Sequence, residues 1–339
     1  MRTSIAMATF NGSKYVCEQL ESFGRQSRLP DEVVVSDDGS TDATLDIVRE
    51  FAARSSFEIR VFTNEAMRGV VSNFQNAISH CTGELIFLSD QDDVWHERKI
   101  DTIVQEFDRD PSVGFLFSNA ELVDNELNEL GETIWNRRFS TAEQRDFNAG
   151  EIYKVIFERN VVTGATAAFR SNLRRWLLPM PNDFPFLHDA WIALACSALG
   201  NVAFVPEKLI KYRIHDGQTT RIPEAEDFGM EQESERVQLS ALGSKLMKHR
   251  LLAGTLILDR LKEIEVAAGN DATYIARAIR DCQFELKKAR EGLDHFELRR
   301  KLSPLRISRL IPVSRELITS RYGRFSNGMR SALKDLLSR

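Results

Sequence analysis

An α/β fold built on a mostly parallel sheet covered by helices on both faces is predicted by two features of the first 110 or so residues. Four short β-rich apolar runs alternate with stretches of helical periodicity, the pattern of βαβ units. Three of the four runs stop in polar loops, and in open α/β sheets ligands bind outside the carboxyl ends of the strands.

The elements follow in order. TSIAMATF leads into the helical pattern SKYVCEQLESFGRQ, and DEVVVSDDGS into ATLDIVREFAAR. EIRVFTNE precedes VVSNFQNAISH, and GELIFLSDQDD precedes WHERKIDTIVQEF. The loops TFNGS, SDDGST and SDQDD should therefore converge on one crevice. From about 111 to 216 the apolar runs SVGFLFSNAELVD, NVVTGATAAFR and NVAFVPEKLIKYRIH surround a helical LHDAWIALACSALG, enough to complete the sheet and build an acceptor pocket. The polar, acidic DGQTTRIPEAEDFGMEQESE then sets a boundary near residue 220. Residues 221–298 read as a helical hairpin and 299–339 as a basic amphipathic tail.

The 339 residues, 42% hydrophobic and 28% charged, are those of a globular chain. No run reaches the roughly 18 uncharged apolar residues of a membrane span. MRTSIAMATFNGSKY turns polar too early for a secretory signal, so a cytoplasmic location is expected. Cys17, Cys81, Cys196 and Cys282 are widely spaced and form no CxxC pair, which argues against a zinc knuckle or a disulfide framework and points to core thiols. Net charge is −5, but residues 299–339 hold 11 Lys/Arg against 2 Asp/Glu. Such a tail suits an anionic surface. With only Tyr322 and Phe325 as aromatics it offers no stacking platform for nucleic acid, which leaves the inner face of a membrane.

In FLSDQDDVW, Asp90, Asp92 and Asp93 follow a buried strand and repel one another unless a cation sits among them. All-oxygen ligands on a short loop suit Mg²⁺ or Mn²⁺. The competing reading has Asp92 or Asp93 capping a helix that starts near Trp95. In VVVSDDGSTD, Asp38 is placed to accept hydrogen bonds from a nucleobase or ribose and Asp37 to hold the turn. An Asx turn with Thr41 or Asp42 capping the next helix is compatible with both. Glycine-rich phosphate loops are absent, so other groups must neutralise phosphates. Arg68 is a candidate auxiliary cation or a solvated arginine. Asp189, beside His188 at a helix start in apolar surroundings, is an N-cap or a positioned general base. The His188–Asp189 pair would suit a metal phosphohydrolase only with further histidines, and the six in the chain show no HxxxH spacing. His215 closes the strand LIKYRIH as a metal ligand or a structural residue.

Six segments in order, MATFNGSKYVCEQLESFGRQS, VVVSDDGSTDATLDIV, GELIFLSDQDDVWHERKI, NVVTGATAAFR, LHDAWIALACSALG and YRIHDGQTT, resemble the family 2 glycosyltransferases of the GT-A fold. They are most similar to bacterial rhamnosyltransferases of surface-polysaccharide assembly. The resemblance runs from about residue 3 to 220 and implies a GT-A domain with a helical extension. It implies that Thr9, Asp38 and Arg68 hold the nucleotide of a sugar donor. It also makes SDQDD the DxD element, with Asp92 the principal metal ligand and Asp90 facing sugar or metal. Asp189 then stands at the place of the catalytic base, His188 replaces the more usual Glu, and YRIH takes the place of YRQH, which puts His215 near the diphosphate. The implied reaction is a single displacement with inversion, from dTDP-L-rhamnose or a UDP-sugar, to a glycan or lipid-linked acceptor. A non-catalytic nucleotide-sugar-binding partner is the reading from another class.

Overall fold

The computed structural model describes residues 1–64, 69–218, 235–268, 273–302 and 307–337. The chain divides into two compact units, Met1–Pro223 and Glu224–Arg339.

The first unit begins with β1 (Thr3–Thr9), α1 (Val16–Gly24), β2 (Glu32–Asp37), α2 (Thr44–Arg54), β3 (Glu58–Thr63), α3 (Val70–His80) and β4 (Leu85–Ser89). Next come β5 (Val94–Trp95), α4 (Lys99–Arg109), β6 (Val113–Val123) and β7 (Glu129–Thr133). Three short helices follow, α5 (Ile134–Arg138), α6 (Thr141–Asn148) and α7 (Ile152–Glu158), then β8 (Ala167–Arg170) and α8 (Arg174–Leu177). The unit ends with α9 (His188–Leu199) and β9 (Asn201–Arg213).

The strands form one mixed sheet in the order β3-β2-β1-β4-β8-β6-β9-β5, with β7 pairing β6 off this path. Pairing is parallel across β3-β2-β1-β4 and again between β6 and β9. It is antiparallel where β8, β7 and β5 join. Every residue of β1, β2 and β4 is buried, as expected of strands covered on both faces. In α4 the buried side chains Ile100, Ile103, Val104 and Phe107 recur at helical spacing and form one stripe against the sheet. Helix α9 is buried nearly all round, so it runs inside the unit. Beyond β4 the core is aromatic: Phe117, Trp135, Phe139, Phe147 and Phe204 pack with ring centroids 5.2–6.2 Å apart.

Two local expectations are corrected. Asp92 and Asp93 cap no helix, because Val94 and Trp95 pair with β9 as a strand and α4 starts at Lys99. Asp189 is not an N-cap either; Leu187 holds that position and Asp189 lies inside the first turn. Cys81, Cys196 and Cys282 are buried thiols, and Cys17 is half-buried.

The second unit contains the long helices α10 (Glu235–Ala268) and α11 (Thr273–Arg300), then α12 (Leu310–Ile318), α13 (Arg321–Phe325) and α14 (Gly328–Leu337). Part of the basic tail packs: Val313, Tyr322 and Ala332 are fully buried in a small apolar cluster with Leu302. An ion pair and a hydrogen bond tie it to α11. Arg299 Nε donates to Asp335 at 2.6 Å, and His295 Nδ1 lies 2.7 Å from Glu316.

Candidate active site

A cavity of about 580 Å³ opens at the carboxyl ends of β1, β2 and β4. Thr9, Asp38, Asp90, Asp92 and Asp189 all line it, so the structure brings together residues drawn from four separate segments of sequence. Arg68 lies outside the described residues.

At the end of β2 the two neighbouring aspartates are held differently. Asp37 is fully buried. Its Oδ1 accepts the N–H groups of Gly39 and Ser40 at 3.0 and 2.7 Å, and its Oδ2 accepts the Thr9 hydroxyl at 2.8 Å. It therefore shapes the turn, in which Gly39 has φ 86°. Asp38 accepts from Asn64 Nδ2 at 3.0 Å and from the Gly69 N–H at 2.8 Å while facing the cavity. Thr9 commits its hydroxyl to Asp37, so what it offers the cavity is backbone and methyl surface.

The loop after β4 is braced from below and behind. Gln91 pairs with the backbone of Phe10, accepting its N–H at 2.9 Å and donating to its carbonyl at 3.0 Å. Gly12 permits this, since a Cβ there would lie 2.1 Å from Gln91 Oε1. Buried Arg213 donates from Nε to the Asp92 carbonyl at 2.8 Å and forms an ion pair with Glu18. The Asp93 carboxylate accepts the Arg213 N–H at 3.1 Å. His215 Nε2 lies 2.9 Å from Asp92 Oδ2, so the histidine joins the acidic cluster.

Electrostatics match this crowding. Burial first, then the charges of Asp92 and Asp189, push the Asp90 carboxyl up to about 8. Asp93 is raised well above the usual carboxylate range by burial and by Asp92 and Asp90. Beneath them, fully buried Lys99 donates to the Ala165 carbonyl at 2.7 Å with its ammonium 3.4 Å from the Trp95 ring centroid. Burial holds the Lys99 amine well below its ordinary value, opposed by Asp93 and Asp90.

Whether a divalent ion fits follows from this donor set. Asp90, Asp92 and His215 offer two carboxylates and an imidazole on one loop cluster. Among the described residues no three His, Cys, Asp or Glu side chains stand close enough to enclose an ion by themselves. Mg²⁺-type ions take one or two carboxylates from protein and the remaining oxygens from substrate phosphates and water, so Asp90 and Asp92 would serve such an ion only together with a bound diphosphate.

Sequence reasoning missed several residues here. Arg138, at the end of α5, lines the cavity. Asn73 donates to the Thr9 carbonyl at 3.0 Å. Arg138 belongs to no local pattern, whereas Asn73 and Gln91 lie within VVSNFQNAISH and SDQDD, segments singled out for other residues.

Residues 4–172 match the family described as glycosyl transferase family 2. An uncharacterized protein of Mycobacterium tuberculosis is 27% identical over 223 residues, covering 62% of this chain and 58% of the relative, so the chain spans less than two thirds of that relative's length. The Escherichia coli UDP-Glc:alpha-D-GlcNAc-diphosphoundecaprenol beta-1,3-glucosyltransferase WfgD is 28% identical over 122 residues, 36% of this chain and 47% of that protein. Among solved structures, Staphylococcus aureus TarS 1–349 in complex with UDP aligns with TM-score 0.53 at 15% identity, covering 88% of this chain and 91% of that one. At that identity the likeness shows the fold.

Proposed function

The chain belongs to glycosyl transferase family 2 through residues 4–172, and we propose that it is an inverting, divalent-metal-dependent enzyme that moves a sugar from a nucleotide donor to an acceptor hydroxyl. The observation that carries this reading is the single cavity shared by Asp38, the Asp90–Asp92 pair and Asp189. A nucleotide at the β2 end, a diphosphate beside the acidic loop and an acceptor beside Asp189 account for all three groups.

In this reading Asp38, with Thr9 and Arg68, holds the nucleoside. Asp92 and Asp90 would hold Mg²⁺ or Mn²⁺, with His215 bracing the Asp92 carboxylate at 2.9 Å. When bound, the ion supplies positive charge against the developing diphosphate. Asp189 accepts the proton of the acceptor hydroxyl as its oxygen bonds to the anomeric carbon. The bond from that carbon to the phosphate oxygen breaks, and the nucleoside diphosphate leaves on the opposite face. One displacement inverts the configuration. The donor favoured by resemblance is dTDP-L-rhamnose and the acceptor a glycan or lipid-linked saccharide of cell-surface polysaccharide. A UDP-hexose donor is the second reading, favoured by the similarity to the E. coli UDP-Glc transferase. The basic tail would hold the enzyme peripherally at an anionic membrane.

Nucleoside diphosphate release from dTDP-L-rhamnose, UDP-glucose and UDP-galactose, with Mg²⁺, with Mn²⁺ and with excess EDTA, tests the proposal. Asp92→Ala should abolish release and metal-dependent donor binding and leave the melting temperature nearly unchanged, since a loop carboxylate adds little to the core. Full turnover in EDTA or in that variant refutes the metal assignment.

A further inference from the structure

We propose that His188, with Thr163 beside it, reads a hydroxyl of the transferred sugar and so sets donor specificity; the inference rests on the transferase reading above. Both ring nitrogens of His188, Thr163 Oγ1 and Asn73 Oδ1 are buried and have no hydrogen-bond partner among the described residues. All three residues line the cavity. They come from different segments yet meet at one wall. The His188 ring stacks on Phe74, the neighbour of Asn73, with centroids 3.7 Å apart and planes 17° from parallel. Gly164, the neighbour of Thr163, comes so close that a Cβ on it would lie 2.9 Å from His188 Nε2.

A buried polar group left unpaired costs about 1–3 kcal/mol. For packing on Phe74 alone, a phenylalanine at 188 would serve without that cost. The unpaired nitrogens are therefore what points to a ligand hydroxyl at this wall. Burial, opposed in part by Asp189, holds the imidazole down at about 4, so near neutral pH it is uncharged. A neutral imidazole presents one N–H donor and one bare acceptor, which complements a hydroxyl that both donates and accepts. Thr163 and the free Asn73 carbonyl oxygen supply further partners of the same kind. The ring nitrogens are covered in this arrangement, so contact with a hydroxyl requires a side-chain rotation at the wall. Such a wall discriminates strongly, because a sugar lacking the matching hydroxyl leaves the buried groups unpaired.

The test compares His188→Phe, which keeps the stack and removes both nitrogens, with His188→Gln, which restores a donor and an acceptor. Calorimetry measures UDP, dTDP, UDP-glucose, UDP-galactose and dTDP-L-rhamnose against each variant. The expected result is that His188→Phe binds the bare nucleotides within about twofold of wild type but loses about tenfold in preference for the favoured sugar, the worth of one hydrogen bond. His188→Gln should recover part of that preference. An unchanged ranking of sugars in His188→Phe overturns the inference. So does an equal loss on sugars and bare nucleotides, which reports a collapsed cavity. Thr163→Val gives the same comparison if the phenylalanine variant fails to fold, and an unchanged ranking there is equally decisive. A wild-type chain that binds none of these nucleotides overturns the transferase reading itself, so the two failures are distinguishable.

Discussion

Asp189 stands in the first turn of α9 with its Oδ1 accepting the Ala190 N–H at 2.7 Å, which fixes the carboxylate at the cavity wall beside His188. As the proposed base it predicts a clean separation of effects. Asp189→Asn keeps the size and the backbone hydrogen bond but cannot take the proton, so turnover should fall roughly 10²- to 10⁴-fold with donor affinity nearly intact. Steady-state rates and calorimetry on the same preparation check it; a large drop in melting temperature with no specific rate effect would assign Asp189 a structural role instead. The residues legible in the sequence were those at strand ends, where a polar cluster interrupts an apolar run: Asp37, Asp38, Asp90 and Asp92. Those that stayed hidden act across long separations. Arg213 bonds Glu18 from 195 residues away, and Lys99 sits under the acidic loop through its contact with Ala165, 66 residues on. No local spacing encodes either meeting.

Elements with a strong period were equally legible. The four parallel strands and their helices follow the alternation of the first 110 or so residues, whereas β5, β7 and the short helices α5–α8 did not emerge. Elements of two to eight residues are fixed by their partners; β5 exists because Val94 and Trp95 pair with Lys211 and Ile210. The parallel half also carries its own pH signature. Glu32 on β2 is buried, which would raise its pKa, but hydrogen bonds from Ser4 on β1, from the N–H and hydroxyl of Thr82 before β4 and from Arg60 on β3 outweigh burial and hold it at about 2. A carboxylate depressed in the folded state stabilises the fold above its unfolded value, near 4.5, and that contribution is lost as pH falls from there toward 2. Thermal melts of wild type between pH 6 and 2 should therefore show a falling stability that is shallower in Glu32→Gln. Parallel curves for the two proteins would mean that other carboxylates carry the acid sensitivity.

Over the whole molecule the charge is divided, with a basic tail of 11 Lys/Arg on a chain of net charge −5. The tail has two faces. One is structural: Tyr322 donates to Asp335 at 2.7 Å, Asp335 pairs with Arg299, and Val313 is fully buried. The other carries Ile311 and Ile318, 83% and 84% exposed, on one stripe of α12 with exposed Arg315 between them. Exposed Met329, Leu333 and Leu337 form a similar stripe on α14 near Arg330 and Lys334. Apolar side chains can enter a headgroup boundary while each nearby basic residue adds about 1 kcal/mol on an anionic surface, so the proposed membrane contact should be weak and salt-sensitive. Deleting the tail is a poor test, because it strips Arg299 and His295 of buried partners. Ile311→Glu with Ile318→Glu leaves those pairs intact and, at exposed positions, should change stability by about 0.5 kcal/mol or less each. Wild type should float with phosphatidylglycerol vesicles at low salt and release at high salt, and the double variant should stay in the dense fraction with an unchanged melting temperature. A wild-type chain that ignores the vesicles removes the membrane role; a double variant that floats as wild type does moves the contact away from α12.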